Sequence, residues 1–418
     1  MSEKENNQDC GCDQPKQKLL SYNEALQRIL DHCQTHQDIE QVELLATAGK
    51  ILAKPVFSPI NVPPHNNSAM DGYAVRCQDL NSAGQELEIS QRICAGQAAQ
   101  DLKPGTAARI FTGAPVPENA DAVIMQEQCE ANGAKVKINN LPKAGQNVRL
   151  AGEDIQQNQE ILSTGQLLRP QEIGLAASVG CAQLSVYKPL KVALLFTGDE
   201  LTEPGQELKP GKIYDSNRFL LTTLMQQMGC EVVDSVLVAD TLDATKNALI
   251  KASETADLII SSGGVSVGEE DHVRIAMEQC GQLNLWRIAI KPGKPLAFGE
   301  INKMPFFGLP GNPVSAFVTF LLFTVPYIKK MQGRENNSAK PMSVIANFDW
   351  PKPGNRLEFA RAKLNINDQG QVLADIYSHQ GSGVLTSTSW ADGLVIIPID
   401  KTIAKGEPVE YLSFKDLL

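Results

Sequence analysis

The sequence lacks the features that mark several classes of protein. Its nine cysteines form no Cys-x-x-Cys pair and no Cys/His cluster with zinc-finger spacing, which favours free thiols in a reducing compartment. Basic residues are outnumbered, 38 Lys and Arg against 48 Asp and Glu, so a net charge of −10 gives no general basis for binding nucleic acid or an anionic membrane. The longest apolar run, 316–325, is too short to span a bilayer, and the polar first residues lack a signal-peptide core. We therefore expect a cytoplasmic protein that binds neither nucleic acid nor membrane.

The length of the chain and the changes in its residue pattern predict several domains. A chain of 418 residues with 42% hydrophobic residues is globular and too long for one ordinary core. Residues 1–17 are polar and predict a disordered tail, in which Cys10 and Cys12 have no partner ligands that would define a metal site. Ser21 and Glu24 have the spacing of a capping box, and they precede a run with one apolar helical face. A second helical piece is expected over 42–53.

The pattern changes along the rest of the chain. Short alternating runs separated by Gly, Pro and Asn predict a β-rich domain over 61–149, inserted into an elongated N-terminal domain of 18–60 and 150–188. Strand and helix patterns alternate over 189–334, which predicts a parallel sheet with helices on both faces. Shorter strands, with a hairpin signal at Asn367–Gly370, predict a small β domain over 335–418. The predicted fold is thus a multidomain α/β plus β protein.

Four unusual loops follow strands of the predicted α/β domain, at the edge where such sheets bind ligands. Gly263 and Gly264 would let backbone N–H groups approach an anion, and Lys291 and Lys294 could neutralise phosphate. Acidic side chains at the same edge would repel phosphate unless a hard cation intervened, so Glu200 and Asp271 predict Mg²⁺. Each loop alone is equally consistent with an ordinary turn or helix start. Their convergence on one edge favours a site for phosphate and metal.

Nine motifs, taken in order from about Lys18 to the C-terminus, resemble those of the MoeA family, the molybdopterin molybdenumtransferases. The motifs are NSAMDGYAV, RIFTGAPVP, RLAGED, TGDEL, GKIYDSN, SSGGVSVGEED, IKPGKP, LPGNPVSA and ADGL. The resemblance implies insertion of molybdate into adenylylated molybdopterin with Mg²⁺, release of AMP and formation of molybdenum cofactor. It also implies an elongated homodimer whose MogA-like α/β domain binds the pterin phosphate in a cleft completed by the partner's β-rich insert.

The resemblance also assigns roles to individual residues. The catalytic residues it implies are Asp71, Thr112, Glu200, Asp240 and Asp271, with Glu200 and Asp271 as metal ligands. The substrate-binding residues it implies are Ser262, Gly263, Gly264, Lys291, Lys294, Pro310, Pro313, Arg361 and Ser382. His65, Asn119 and Ile290 depart from the family pattern; Asn tolerates a left-handed backbone, and His65 is expected to face solvent or to pack.

Two other functions remain open from the sequence. The adenylyltransferase of the preceding step shares the α/β domain, but it is a single domain and lacks the MDGYA half of this chain. A scaffold, as in the eukaryotic relative gephyrin, would use the same architecture to bind receptor tails. The acids retained in the motifs favour catalysis, and no cysteine lies in a motif loop to serve as a nucleophile. Further partners that the resemblance suggests are the adenylyltransferase and the maturation factors of downstream molybdoenzymes.

Overall fold

The computed structural model describes residues 19–264, 272–334 and 338–418. They form two compact units, one being Ile39–Val186 and the other the described residues up to Asp38 together with Tyr187–Leu418. The finer division predicted from the sequence, into an insert of 61–149 and flanking segments, stays a prediction.

A six-stranded sheet is the centre of unit Ile39–Val186. Its strands, in order across the sheet, are Ala122–Met125, Gly72–Val75, Thr106–Ile110, Gln85–Ile93, Lys135–Ile138 and Cys129–Asn132. This confirms the β-rich character predicted for the region. A Cβ at Gly72 would lie 1.9 Å from the Ile124 carbonyl oxygen, so only glycine allows these two strands to pair. Asn119 has a φ of 68°, the left-handed backbone that Asn tolerates.

Smaller elements complete this unit. Two-stranded pairings join Ile39–Glu43 to Gln183–Tyr187, Val56–Phe57 to Glu160–Leu162 and Asn67–Ser68 to Val148–Arg149. A helix, Pro170–Ser178, follows Arg169. The helix expected over 42–53 is wrong. Strand Ile39–Glu43 is followed there by one turn of 3₁₀ helix, Leu44–Thr47. Pairing with a strand about 140 residues away, which a local apolar pattern cannot reveal, overrides the helical spacing.

A second six-stranded sheet lies in the other unit. Its strands are β1 (Lys191–Thr197), β2 (Glu231–Val238), β3 (Leu258–Ser262), β4 (Gln282–Arg287), β5 (Pro295–Ile301) and β6 (Met304–Leu309), in the order β2-β1-β3-β6-β5-β4. The first three and β6 are parallel, but β5 and β4 are antiparallel to their neighbours, so the sheet is mixed rather than wholly parallel. The reason is the link from β5 to β6: Asn302 and Lys303 have φ of 50° and 71°, a hairpin turn too short for a parallel crossover.

Helices cover both faces of this sheet, as the sequence predicts. Helices Tyr22–Asp31 and Asn217–Gln227 and the segment Pro313–Met331 share a core with Val192, Leu194 and Phe196. Helices Leu242–Thr255 and His272–Cys280 pack on Ala193 and Leu195, which point to the other face. Helix Tyr22–Asp31 begins with the predicted Ser21–Glu24 capping box.

The helical segment Pro313–Met331 runs through the middle of this core. Two α-helical pieces, Pro313–Thr319 and Val325–Met331, flank a π-helical turn at Phe320–Thr324, whose altered hydrogen bonding admits Pro326 without breaking the helix. Among the described residues it is the one helix long and apolar enough to cross a membrane, longer than the run at 316–325 suggests. Because 94% of its most apolar stretch is buried within the fold, it is the core helix of this unit.

The C-terminal strands form a small closed sheet. In order they are Leu357–Ile366, Val372–Ile376, Met342–Ala346, Pro408–Ser413 and Gly393–Ile397, and the last also pairs with the first. Strand Ile290–Lys291 joins its edge, and short helices Thr386–Trp390 and Phe414–Leu417 complete the region. The hairpin predicted at Asn367–Gly370 joins the first two strands, with Gly370 at a φ of 77°. The small C-terminal β region predicted from the sequence is confirmed, with two short helices added to its strands.

Candidate functional site

A cavity of about 750 Å³ opens where β1, β3 and β6 end. Phe196, Ser262 and Leu309 lie side by side in these strands, so the loops that follow them emerge together. Of the residues predicted for the site, those that line the cavity are Glu200, Asp240, Ser262, Gly263, Gly264, Pro310 and Pro313. The structure therefore brings together all four predicted loops, the lysine-containing one through its last residue, Pro295, and the acid that follows β2. Asp271 lies outside the described residues.

The glycine loop is held tightly against the end of β1. Gly263 and Gly264 have φ of 97° and 63°, and a Cβ on Gly263 would lie 2.4 Å from the Thr197 carbonyl oxygen. Only glycine fits this backbone and this spacing. The Gly263 N–H donates to the Leu309 carbonyl at 3.3 Å, so this amide, predicted to approach an anion, serves the fold.

Asn217, a residue that the sequence analysis did not single out, joins two of the loops. Its side-chain nitrogen donates to Ser262 Oγ at 2.9 Å and to the Gly311 carbonyl at 2.7 Å. Ser262 Oγ in turn donates to the Pro310 carbonyl at 3.2 Å. This network fixes the Leu-Pro-Gly-Asn-Pro loop against β3. The motif GKIYDSN, which ends with Asn217, is the sequence feature from which a place for Asn217 in the site could have been predicted.

Asp215 is a second cavity residue that sequence reasoning missed. It is 4% exposed, and its Oδ1 accepts a hydrogen bond from the Arg218 N–H at 3.1 Å, in the first turn of helix Asn217–Gln227. Burial raises the pKa of its carboxyl above the ordinary value, although hydrogen bonding and the charge of Arg218 oppose the shift. A buried carboxylate in a cavity wall, with its pKa raised, is typical of a functional group.

Among the described residues, the charged side chains that line the cavity are all acidic. Three carboxylates line it, those of Glu200, Asp215 and Asp240, and no Lys or Arg does so within the described residues. Glu200 is exposed and lies against Gly198, where a Cβ would come within 2.5 Å of its Oε2. No group of three or more His, Cys, Asp or Glu side chains in the described ranges could hold a metal ion. Glu200 offers the hard oxygen that Mg²⁺ prefers, but the described residues alone do not complete a magnesium site.

The two predicted lysines have different surroundings. Lys291 Nζ lies 3.0 Å from Oε1 and 3.1 Å from Oε2 of Glu358, a side chain that is only 5% exposed. Lys294 is exposed and has no ion pair among the described residues. Both belong to a loop that leads into β5, whose first residue, Pro295, lines the cavity.

Arg361 and Ser382 lie in the C-terminal region beside the cavity loop. Arg361 is fully buried, donates to Ser387 Oγ at 3.1 Å and to the Gly381 carbonyl at 3.3 Å, and burial lowers its pKa to about 10. The Ser382 carbonyl accepts from the Val314 N–H at 3.0 Å. Gly383, next in the chain, lines the cavity. Arg361 thus braces a segment that reaches the site.

Asp71 and Thr112 form a pair in unit Ile39–Val186. Asp71 Oδ1 accepts hydrogen bonds from both the backbone N–H and the hydroxyl of Thr112, each at 2.8 Å. These bonds, the backbone one first, lower the pKa of Asp71 below its ordinary value, and the charge of Arg109 adds to the effect. The Arg109 guanidinium stacks on Phe111, 4.5 Å from the ring centroid. The structure therefore joins the two predicted catalytic residues of this unit in an ionised, positively flanked pair.

Comparison with known proteins agrees with this architecture. Three family models match in order along the chain: the MoeA N-terminal region (domain I and II) over residues 20–180, a probable molybdopterin binding domain over 193–330, and the MoeA C-terminal region (domain IV) over 343–414. A molybdopterin molybdenumtransferase from Haemophilus influenzae is 41% identical over 96% of this chain and 100% of its own length. One from Nostoc is 36% identical over 91% of this chain and 89% of its own.

Solved structures extend the likeness to the fold. The crystal structure of a molybdopterin biosynthesis MoeA protein from Pyrococcus horikoshii OT3 has a TM-score of 0.82 at 30% identity, covering 95% of this chain and 100% of that one. The fold and the motif-lined cavity define a multidomain protein of the molybdopterin-binding class. The chain belongs to the MoeA family of molybdopterin molybdenumtransferases.

Proposed function

We propose that this protein is a molybdopterin molybdenumtransferase of molybdenum cofactor biosynthesis. The observation that carries the proposal is 41% identity, across essentially the whole of both chains, to a protein of that name. The cavity supports it, because seven residues that the family resemblance selects line it at the carboxyl ends of four strands, β1, β2, β3 and β6. Matches on both sides of the molybdopterin-binding region, over 20–180 and 343–414, favour this activity over the single-domain adenylyltransferase.

The substrate that we propose is adenylylated molybdopterin, with molybdate as the second substrate and AMP as a product. The network of Asn217, Ser262 and Pro310 would hold the cavity loop in one position, and fixed groups reduce the entropy lost when two reactants are aligned. The cationic Lys294, which has no carboxylate partner among the described residues, is suited to phosphate. Asp71, kept ionised by Thr112, would act from the β-rich insert.

The test is turnover of adenylylated molybdopterin by the purified protein. AMP release that requires molybdate, together with product that activates a molybdenum-free apo-enzyme, is the expected result. ATP-dependent adenylylation of molybdopterin, with no molybdate-dependent step, would instead assign the adenylyltransferase activity. Absence of both reactions would favour the scaffold.

We further propose Mg²⁺ as a cofactor, bound by Glu200 and Asp271. A divalent ion would supply Lewis-acid stabilisation of the charge on the phosphates. Glu200 supports this because its exposed carboxylate stands in the cavity wall. Calorimetric titration with Mg²⁺ tests binding without reference to turnover. Glu200→Gln and Asp271→Asn should each abolish the binding heat, whereas Asp243→Asn, a change on a surface helix away from the cavity, should retain it.

We also propose a homodimer in which the insert of one subunit serves the cavity of the other. Large exposed apolar side chains within 39–60, among them Leu45 at 89% and Phe57 at 52%, support an interaction surface. Mixing subunits provides a test. If each site takes Asp71 from one subunit and Glu200 from the other, inactive Asp71→Asn and Glu200→Gln chains refolded together should regain roughly a quarter of wild-type activity, because half the dimers carry one intact site. No recovery would contradict the shared site.

The remaining proposals concern the cellular location of the protein and its protein partners. We propose a cytoplasmic location, supported by the seven cysteines of the described part, all of which are free thiols. We propose the adenylyltransferase and molybdoenzyme maturation factors as partners, since adenylylated molybdopterin and the finished cofactor must be received and passed on. Fractionation of cells, and co-purification with the adenylyltransferase, test these points.

A further inference from the structure

Arg109 connects the turn that carries Asp71 to the neighbouring strands of its sheet. It lies in strand Thr106–Ile110, directly opposite Tyr73 of strand Gly72–Val75, which begins one residue after Asp71. It is also the first residue of the motif RIFTGAPVP, in which only Thr112 has an implied role. The inference rests on the proposed function, because Arg109 would serve the reaction through Asp71.

The Arg109 guanidinium holds the carbonyl groups of both Asp71 and Gly72, one through Gln126 and the other directly. Its Nη1 donates to the Gly72 carbonyl at 2.8 Å. Its Nη2 donates to Gln126 Oε1 at 2.6 Å, and the backbone N–H of Gln126 donates to the Asp71 carbonyl at 3.0 Å. Because a guanidinium can only donate, the oxygen of the Gln126 amide must be the atom that faces it. One rigid side chain therefore fixes two consecutive carbonyls, and with them the direction in which the Asp71 side chain leaves the backbone.

Aromatic rings fix the guanidinium in turn. Its Cζ lies 5.2 Å from the ring centroid of Tyr73 and 4.5 Å from that of Phe111. Tyr73 is only 6% exposed and belongs to the core of this sheet, so its ring is a firm surface. Planar stacking of this kind is available to Arg and not to the compact ammonium of Lys. The head of Arg109 is therefore held in place independently of the turn that it binds.

The contacts of the Asp71 carboxylate depend on the position of this turn. Its Oδ1 accepts hydrogen bonds from the backbone N–H and from the hydroxyl of Thr112, each at 2.8 Å. A shift of the turn by about 1 Å would lengthen both beyond the range of good hydrogen bonds. A displacement of that size at a reacting group can lower a rate by about 10²-fold.

We propose that Arg109 is a positioning residue, which holds the turn and thereby keeps the Asp71 carboxylate in the geometry that the reaction needs. Contact with the substrate is not required, since Nη1 and Nη2 both bind groups of the protein. Geometry is the main effect rather than charge. The hydrogen bonds from Thr112 are the largest causes of the lowered pKa of Asp71, and the charge of Arg109 comes after them.

Arg92 provides a matched control on the same ring. It lies opposite Arg109 in strand Gln85–Ile93, and its Cζ is 4.7 Å from the Phe111 centroid. Among the described residues its side chain makes no hydrogen bond to the Asp71 turn, whereas that of Arg109 does. Arg109→Met and Arg92→Met therefore remove the same charge and the same kind of stacking, and only the first removes the contacts that hold the turn.

Molybdate-dependent AMP release is the first measurement. Arg109→Met should lower kcat by about tenfold to a hundredfold and leave KM within about twofold, while Arg92→Met should change neither. In the Asp71→Asn background, Arg109→Met should cause no further loss of kcat, because the group that it positions is already gone. Losses that multiply, or a raised KM with kcat unchanged, would indicate direct contact with the substrate and overturn the proposal.

Arg109→Lys separates geometry from charge. The variant keeps the positive charge, but a single ammonium cannot reproduce the planar fork that binds the Gly72 carbonyl and Gln126 Oε1. Its kcat should therefore stay about tenfold or more below that of the wild type. Full recovery of kcat in Arg109→Lys would show that charge is sufficient and would refute the positioning role.

Hydrogen exchange tests the positioning role without any turnover. In the full-length protein, the backbone N–H groups of Thr112 and Gln126 donate to Asp71. They should exchange about tenfold faster in Arg109→Met and in Arg109→Lys, and at the wild-type rate in Arg92→Met. The amides of β1, in the other unit, are the control for folding and should keep their protection.

The two measurements distinguish this inference from the proposed function. Unchanged exchange at Thr112 and Gln126 in both Arg109 variants refutes the inference alone, whatever the activity of the wild type. Faster exchange in these variants, together with a wild-type protein that shows no molybdate-dependent turnover, refutes the proposed function alone.

Discussion

Two threonines allow the stability and the ligand-binding roles of an unpaired hydroxyl to be separated. Thr197 lines the cavity, whereas Thr324 lies in the core segment Pro313–Met331, and both are buried with no hydrogen-bond partner for Oγ1 among the described residues. Thr→Val replaces the hydroxyl with a methyl group of nearly the same shape. The same substitution at both positions is therefore a matched pair.

The expected effect on stability has the same sign at both positions. A buried polar group without a partner costs about 1–3 kcal/mol, so each variant should be as stable as the wild type or more stable by about 1 kcal/mol. For a unit of this size that corresponds to a rise in Tm of about 2–4 °C. Thermal unfolding followed by calorimetry measures it.

The effect on binding should differ. Thr197→Val should weaken binding of adenylylated molybdopterin about fivefold, because it removes a polar group from the cavity wall, whereas Thr324→Val should bind it as the wild type does. Loss of Tm by about 4 °C or more in Thr197→Val would mean that its hydroxyl is paired within the protein. Equal binding by the two variants would refute a ligand role for Thr197.

Two further predictions concern residues of the site. The hydrogen bonds from Thr112 lower the pKa of Asp71. The stability that they add is therefore complete above the ordinary Asp pKa of about 3.9 and is lost as pH falls through the lowered pKa. The Tm difference between wild type and Thr112→Val should accordingly shrink from pH 6 to pH 3. A constant difference would contradict this. Lys291→Ala should lower the free energy of unfolding by about 1–2 kcal/mol, because it leaves the buried Glu358 carboxylate without its ion-pair partner. The loss is smaller than for a fully buried pair because Lys291 is half exposed. Lys294→Ala should change the free energy of unfolding by less than about 0.5 kcal/mol. Denaturant titration of both variants decides between these effects, and equal losses would refute the distinction.

Much of the fold could be predicted because local patterns and one topological rule are enough for it. The strands around Val192 and Leu258 are continuous apolar runs, and the helix before Gly229 has a recognisable start and stop. Since carboxyl ends of parallel strands share an edge, Glu200 and Gly263 could be placed in one cavity from sequence alone.

The places of Asp215 and Asn217 in the cavity could not be found in this way. Asp215 and Asn217 read as an ordinary helix start, because Asp, Ser and Asn are the residues that caps favour. Only folding brings the Asn217 amide to Ser262 and Gly311, which are 45 and 94 residues away along the chain. A capping pattern and a ligand-binding pattern use the same residue types, and long-range partners alone distinguish them.

The Lys-Pro-Gly-Lys-Pro loop reaches the predicted edge by a route that the sequence analysis did not foresee. In a wholly parallel sheet, a loop near that edge must follow the end of a strand, and the sequence analysis places this loop there for that reason. In the structure Ile290 and Lys291 pair with Leu357 and Glu358 of the C-terminal sheet instead. The loop still arrives beside the cavity because β5 runs antiparallel, so that its beginning, at Pro295, lies where the parallel strands end. One reversal of strand direction therefore places two lysines at the edge of the α/β sheet and ties one of them to a carboxylate of the C-terminal region.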